Sequence, residues 1–263
     1  MAEAYLAVGT DMVNTNSFGS NSYMVTTNSF GANSFKLRAY GLADRVREFN
    51  RAAAALAREA ADGKASVAGS MGPTGHILEE EGGDVSAAQL YESFAGQAAA
   101  LAESGADAIC IETMSSLREA LEAIRAAKEN GNAPVMCTFT FESGLKGFRT
   151  MMGVRPDRAA KEAAAAGADI VGANCGNGIA NMIAIAGQMR AAAPSTPLLI
   201  QANAGVPVVE DGKTVFKETP EYMASRVAEL VAAGANIVGG CCGTTPAHIA
   251  AIAAVVRGLR ATA

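Results

Sequence analysis

The sequence has no tryptophan, only two histidines and just 5% aromatic residues. With His76 and His248 alone, there is no material for a histidine-rich metal site and little for a histidine-dependent catalytic triad. Charged residues are 18% of the chain, 21 basic against 26 acidic, and net charge is −5. Lys and Arg form no cluster, which argues against a nucleic-acid partner. No apolar run reaches the roughly 18 residues that read as a membrane span. A basic segment followed by an apolar one, the mark of a signal peptide, is missing from the start. These absences predict a soluble, cytoplasmic protein with no membrane partner. The one acidic run, Glu79-Glu80-Glu81, reads as a solvated loop.

Five cysteines, two of them adjacent, make a poor disulfide framework in a chain of 263 residues. Reduced thiols used as ligands or nucleophiles fit better. Half of the chain is hydrophobic, too much for a disordered protein. The length suits one domain, 1–263, since α/β barrels reach about 250 residues as single units.

A phrase recurs where Ala-rich amphipathic stretches give way to apolar runs: Ser104-Gly105-Ala106-Asp107, Ala166-Gly167-Ala168-Asp169 and Ala233-Gly234-Ala235-Asn236, with a related Val8-Gly9-Thr10-Asp11. Gly just past a helix end supplies the left-handed turn that releases the chain. The β-branched run that follows reads as a strand buried on both faces. On this basis strands are expected at 10–16, 65–71, 107–113, 134–141, 169–175, 197–203 and 236–241. Helices are expected at 36–62, 86–104, 116–130, 156–166, 179–193, 219–233 and 246–260. Pro156, Pro220 and Pro246 fall near helix starts, where a missing N–H costs little. Repeated βα units without a domain-sized linker point to a (β/α)8 TIM-type barrel, one strand short of eight.

Residues 12–23 are nearly repeated at 24–35, around Thr15-Asn16-Ser17-Phe18 and Thr27-Asn28-Ser29-Phe30. Twelve residues cannot hold a strand, a crossover helix and the next parallel strand. The copy can pair antiparallel, take the vacant strand position, or form a surface loop; the tolerance of loops for insertions favours the last.

Three cysteines stand at the C-terminal ends of expected strands: Cys175 after Gly172-Ala173-Asn174, and Cys241-Cys242 after Gly239-Gly240. All strand C-termini of a barrel open on one face, so these distant thiols can converge. Three soft thiolates without a nearby His suit Zn²⁺ with one exchangeable position. The alternative is a buried small residue at 175 and a metal-free vicinal pair at 241–242. Cys110 and Cys137 lie inside apolar strands and read as core.

These segments carry a family resemblance. The chain resembles the homocysteine S-methyltransferases, and within them the homocysteine-binding barrel of cobalamin-dependent methionine synthase. The matching motifs are Gly172-Ala173-Asn174-Cys175-Gly176 and Gly239-Gly240-Cys241-Cys242-Gly243-Thr244-Thr245-Pro246. Lesser matches are Thr27-Asn28-Ser29-Phe30-Gly31, Gly69-Ser70-Met71-Gly72-Pro73-Thr74, Ile111-Glu112-Thr113 and Gln201-Ala202-Asn203-Ala204-Gly205. The resemblance implies that Cys175, Cys241 and Cys242 are zinc ligands and the catalytic centre. It implies that Glu112 binds the homocysteine amino group, and that Asn174, Asn203 and Ser70 lie near the substrate. The family's usual opening strand, ending in an Asp-Gly-Ala-Met-Gly-Thr type motif, has no match here; the duplicated segment is the candidate replacement.

The implied chemistry is attack by a zinc-held thiolate on an electrophilic methyl group, which needs no general base. His248 then reads as a helix-start residue. With one barrel in the chain, the methyl donor is expected to be a methyl-corrinoid (methylcobalamin) protein acting in trans, or else S-methylmethionine or S-adenosylmethionine. The segment 147–153 reads either as lining the donor side or as a plain loop. Two other classes stay open: a degenerate barrel that binds zinc or thiols without turnover, and a metal-free barrel with another small-molecule activity.

Overall fold

The computed structural model describes residues 24–261. Seven strands form one parallel sheet in the order β1 (Met24–Thr26), β2 (Ser66–Met71), β3 (Ala108–Met114), β4 (Val135–Phe139), β7 (Ile170–Asn174), β8 (Leu198–Ala202) and β11 (Ile237–Gly240). Between successive strands run α1 (Ser34–Arg38) and α2 (Val46–Ala61), α3 (Ala87–Glu103), α4 (Leu117–Glu129), α5 (Pro156–Ala165), α6 (Ile179–Ala192), and α7 (Pro220–Ser225) with α8 (Val227–Ala232). The last helix is α9 (Pro246–Ala261). Parallel strands alternating with helical crossovers give the α/β class expected of a TIM-type barrel.

Six of the seven expected strands are present. The expected strand 10–16 lies outside the described residues. The first described strand instead belongs to the second copy of the duplicated segment, and it pairs in parallel with β2 through Met24↔Ser66, Val25↔Val67 and Thr26↔Ala68. The surface-loop reading of that copy is therefore corrected. Thr27, Ser29 and Asn33 just after the strand are buried, and Thr27 N–H donates to Ala68 O at 2.8 Å. A segment that ends a strand and buries three polar side chains is part of the framework.

Other boundaries shifted for local reasons. The expected helix 36–62 is broken at Gly41, whose φ of +70° helical residues do not adopt. The expected helix 219–233 is split at Arg226. Two hairpins were not anticipated. One joins β5 (Glu142–Gly144) to β6 (Gly147–Arg149) and takes in the first three residues of the segment 147–153. The other joins β9 (Val208–Glu210) to β10 (Lys213–Val215) through Asp211-Gly212, both at positive φ. Asp-Gly in that conformation is the two-residue hairpin turn that matches strand twist. The acidic run is a 3₁₀ turn, Glu79–Glu81. No described helix is long and apolar enough to cross a membrane.

The recurring Gly-Ala-Asp phrase has a structural reason. Asp107, Asp169 and Asn236 precede β3, β7 and β11. Their side-chain oxygens accept from the backbone N–H of Val67, Val135 and Leu198 at 2.6, 2.8 and 2.9 Å. Their own N–H groups donate back to the carbonyls of the same three residues. Each phrase thus ties the start of its strand to the start of the neighbouring one and sets the register. Arg58 and Lys128, from nearby helix ends, pair with Asp107 and Asp169.

Alternate strand positions face two different cores. Val67, Ile109, Val135, Val171, Leu198 and Val238 belong to the large cluster formed with the helices. Ala68, Ala108, Cys110, Met136 and Leu199 form a small second cluster on the other face, flanked by Ile170 and Ile237. Cys137 lies on the helix side and Cys110 on the inner side, both buried, as expected for packing residues. Replacing Asp169 by Ala should remove the tie to Val135 and destabilise the protein by about 1 kcal/mol in denaturant unfolding. Asp169→Asn should cost much less, since the chain itself uses Asn at position 236; equal losses in the two variants would refute the register role.

Candidate thiol and metal centre

Continuing the inner face two positions towards the strand C-termini changes its chemistry. Above the small apolar cluster stand Ser70 on β2, Glu112 on β3, Thr138 on β4, Asn174 on β7, Gln201 on β8 and Cys241 just past β11. Each is no more than 2% exposed. Side-chain parity alone puts them in one layer, because residues two apart on a strand share a face. A ring of buried polar groups at the C-terminal rim is where a barrel-type sheet carries its site.

The thiols of Cys175, Cys241 and Cys242 meet at this rim, their sulfurs all within 4.8 Å of one another. Cys175 Sγ lies 3.6 Å from Cys242 Sγ, and all five cysteines are free thiols. The backbone is shaped to present them. Cys175 has φ +61° and Gly176 φ +73°, so the chain turns out of β7 through two left-handed residues in succession. That conformation costs a non-glycine residue about 1–2 kcal/mol, and such strain collects at functional sites. A Cβ at Gly176 would stand 2.8 Å from the Phe141 carbonyl and the Thr140 hydroxyl, so only glycine fits beneath the thiol. After β11, Cys241 N–H donates to Ala202 O at 2.7 Å and Cys242 N–H to Asn203 Oδ1 at 3.0 Å. The Thr244 hydroxyl closes the turn on Cys241 O at 2.7 Å.

The three thiols share charge unequally. Hydrogen bonds from Cys241 and Cys242, then from Gly176 N–H and the Asn203 side chain, hold the Cys175 thiol well below its ordinary range. Donating to Cys175 pushes the other two thiols up, and burial adds to the rise at Cys241. These hydrogen bonds favour ionisation of Cys175 over that of the other two thiols. A soft divalent cation is the partner that would let all three ionise. Tetrahedral zinc with about 2.3 Å bonds to sulfur requires sulfurs about 3.8 Å apart. The Cys175–Cys242 pair at 3.6 Å fits, and three cysteines leave one position open to an incoming ligand.

Glu112 is buried next to this cluster. Burial raises its carboxyl from 4.5 to about 7, the Ser70 hydroxyl opposes the rise by donating to it, and the negative charge of Cys175 adds to it. Ser70 is held in turn: its N–H donates to Thr27 Oγ1 at 2.9 Å, and its carbonyl accepts from Ser29 Oγ at 2.7 Å. The second copy of the duplicated segment thus supports the residue that touches Glu112. Of the residues singled out from sequence, Cys175, Cys241, Cys242, Glu112, Ser70, Asn174 and Asn203 all lie at this rim. His248 sits in the first turn of α9, as expected. Its Nδ1 accepts from Thr245 N–H at 3.1 Å, so Nε2 carries the proton and donates to Glu218 O at 2.9 Å.

Sequence reasoning missed Thr113, Thr138 and Gln201. Thr113 falls in the Ile111-Glu112-Thr113 match, but its φ of +63° at a β-bulge, which gives it its role, leaves no mark in the sequence. Thr138 and Gln201 were findable, since each is the polar residue two positions past an apolar inward one. The Gln201 Oε1 atom is buried and has no hydrogen-bond partner among the described residues.

The fold and rim together define a barrel-type α/β protein with a soft, sulfur-rich centre suited to a metal and a thiol ligand. A family model described as homocysteine S-methyltransferase matches residues 20–256, and the chain belongs to that family of methyltransferases. It is 31% identical over 268 residues to the methionine synthase of Mycobacterium tuberculosis, covering 97% of this chain and 21% of that protein. It is 30% identical over 264 residues to the methionine synthase of Mycobacterium leprae, covering 96% of this chain and 20% of that protein. The chain thus spans about a fifth of the length of these relatives. Among solved structures, the metallated form of the homocysteine methyltransferase MmuM from Escherichia coli has a TM-score of 0.75 at 22% identity, covering 96% of this chain and 82% of that one. Its oxidised form has a TM-score of 0.71 at 23% identity, covering 96% and 82%. These structural likenesses establish the fold.

Glu112 also sets a pH dependence. Its folded pKa lies above the unfolded value, so the neutral carboxyl is the form the fold tolerates. That stability is fully present below about pH 4.5 and is lost as pH rises to about 7, a total of roughly 3 kcal/mol. In denaturant unfolding without added metal, Glu112→Gln should flatten this fall, so that the variant matches the parent at pH 5 and exceeds it at pH 8. A parent protein equally stable at both pH values would contradict the assignment.

Proposed function

We propose that this chain is a zinc-dependent S-methyltransferase that moves a methyl group onto the sulfur of homocysteine, forming methionine. The donor in this reading is a methyl-corrinoid protein acting in trans. The observation that carries it is the meeting of Cys175, Cys241 and Cys242 at the rim beside the buried carboxyl of Glu112.

Cys175, Cys241 and Cys242 would hold the zinc ion. Bound there, zinc supplies the positive charge that keeps a substrate thiol deprotonated near neutral pH, where a free thiol of pKa about 8.5 is mostly protonated. The chain's own groups do the rest. Glu112 reads the substrate ammonium through a charge-assisted hydrogen bond, and a cation there lowers the carboxyl from its raised value. Ser70 keeps the carboxylate aimed, and the free acceptor of Gln201 is available to a second substrate N–H. The thiolate sulfur attacks the methyl carbon in line. The new S–C bond forms as the bond from carbon to donor breaks, and that electron pair stays with the donor. No proton moves in this step, so it needs no general base.

The likeness to the two methionine synthases supports the corrinoid donor. The same reading takes the sheet as the body of a (β/α)8-type barrel, with the 24–35 copy of the duplicated segment supplying β1 and the hydroxyls that brace Ser70.

Protein purified under reducing conditions should contain about one zinc per chain, lost in Cys241→Ala. X-ray absorption at the zinc edge should count three sulfurs, rising to four with homocysteine; a count that does not change counts against the mechanism. Methylcobalamin should yield methionine in the presence of homocysteine. Product from S-methylmethionine or S-adenosylmethionine alone would keep the reaction and replace the donor, and zinc without product from any donor would mark a degenerate barrel. Glu112→Gln should retain its zinc yet bind homocysteine about tenfold more weakly, as expected for losing one charge-assisted contact.

A further inference from the structure

We infer that Asn174 is a positioning residue for the sulfur centre, aimed at Cys241, and that it does not bind substrate. This role presupposes the proposed metal centre and follows from the hydrogen bonds of one amide. Asn174 is fully buried at the end of β7. Its Oδ1 accepts from Thr113 N–H at 2.9 Å and from the Thr138 hydroxyl at 2.7 Å. Its Nδ2 donates to Thr113 Oγ1 at 2.8 Å and to Cys241 Sγ at 3.9 Å. A primary amide offers two acceptor sites and two donor hydrogens, and all four are used inside the protein. None remains for a substrate group.

The orientation of the amide is decided by chemistry. Thr113 N–H is a backbone donor and can face only the carbonyl oxygen, so the NH₂ end must point to Cys241. The positive φ of Thr113, next to the irregular pairing of β3 with β4, is what turns that N–H inward, away from a strand ladder. One side chain therefore ties the ends of β3, β4 and β7 to a sulfur beyond β11, four separate stretches of chain. An N–H donor aimed at a metal-bound thiolate stabilises the sulfur lone pair, fixes the sulfur's direction and weakens its electron donation to the metal. Outer partners of this kind are typically worth about 10–100-fold in metal affinity. Asn203 holds the backbone, not the sulfur, of the other half of the pair, its Oδ1 accepting from Cys242 N–H at 3.0 Å.

The test uses the full chain with cobalt(II) in place of zinc, reading the sulfur-to-cobalt charge-transfer band and cobalt affinity by chelator competition. Asn174→Ala should move the band to longer wavelength and weaken cobalt binding about tenfold. Thr138→Val, nearly isosteric and without a contact to sulfur, should move the band in the same direction by less. It decides the question alone if Asn174→Ala fails to fold. An unmoved band and unchanged cobalt affinity in the folded variants would overturn the inference, most clearly if homocysteine affinity falls in Asn174→Ala. A parent protein showing no sulfur-to-cobalt band at all would overturn the metal reading and this inference with it.

Discussion

Parallel strands joined by helical crossovers must all end on the same side, and that constraint organises everything else here. Because β7 and β11 both end at one rim, thiols 66 and 67 residues apart in the chain, at 175 and at 241 and 242, come within 4.8 Å of each other. Helices cover the outer face, so the inner face can afford a change of character along its length, apolar below and polar above. The lower layer of Ala, Met, Ile and Leu excludes water. The upper layer holds Ser70, Glu112, Thr138, Asn174, Gln201 and Cys241 in the dry, low-dielectric setting where charge and hydrogen bonds act strongly.

That setting explains the site's electrostatics. Burial makes the lone Glu112 carboxyl resist ionisation and the charge of Cys175 adds to that, while among the thiols Cys175 ionises most readily and Cys241 and Cys242 are pushed up. In the proposed function, one soft cation among the sulfurs and one ammonium near Glu112 would lower both costs. Chemistry that brings a thiol and an ammonium on the same small molecule is what an amino-acid thiol provides. Family membership supports that proposal through sequence similarity, and the rim supports it through buried groups that a cation would stabilise.

Legibility in the sequence followed physical range. The βα alternation was readable because helix ends and buried strands leave local marks: Gly past the helix, Pro in its first turn, β-branched runs. The Gly-Ala-Asp phrase was readable as punctuation, but its purpose, tying neighbouring strand starts through Asp107, Asp169 and Asn236, requires knowing which strands are neighbours. The duplicated segment was misjudged as a loop, since twelve residues cannot hold a full βα unit; the structure needs only the three residues Met24–Thr26 to pair with β2. The hairpins after β4 and β8 were missed because three-residue strands are too short for periodicity to register.

From sequence alone came the α/β class, the strand and helix order and the identity of the three thiols and Glu112, because each depends on residues close together in the chain or on motifs that survive as strings. Tertiary structure alone decided which side chains share the inner rim, how Ser70 is braced by Thr27 and Ser29, and which end of the Asn174 amide faces sulfur. Those outcomes depend on hydrogen bonds between residues up to 67 positions apart, and no local pattern encodes the direction of a bond whose partner lies on another strand.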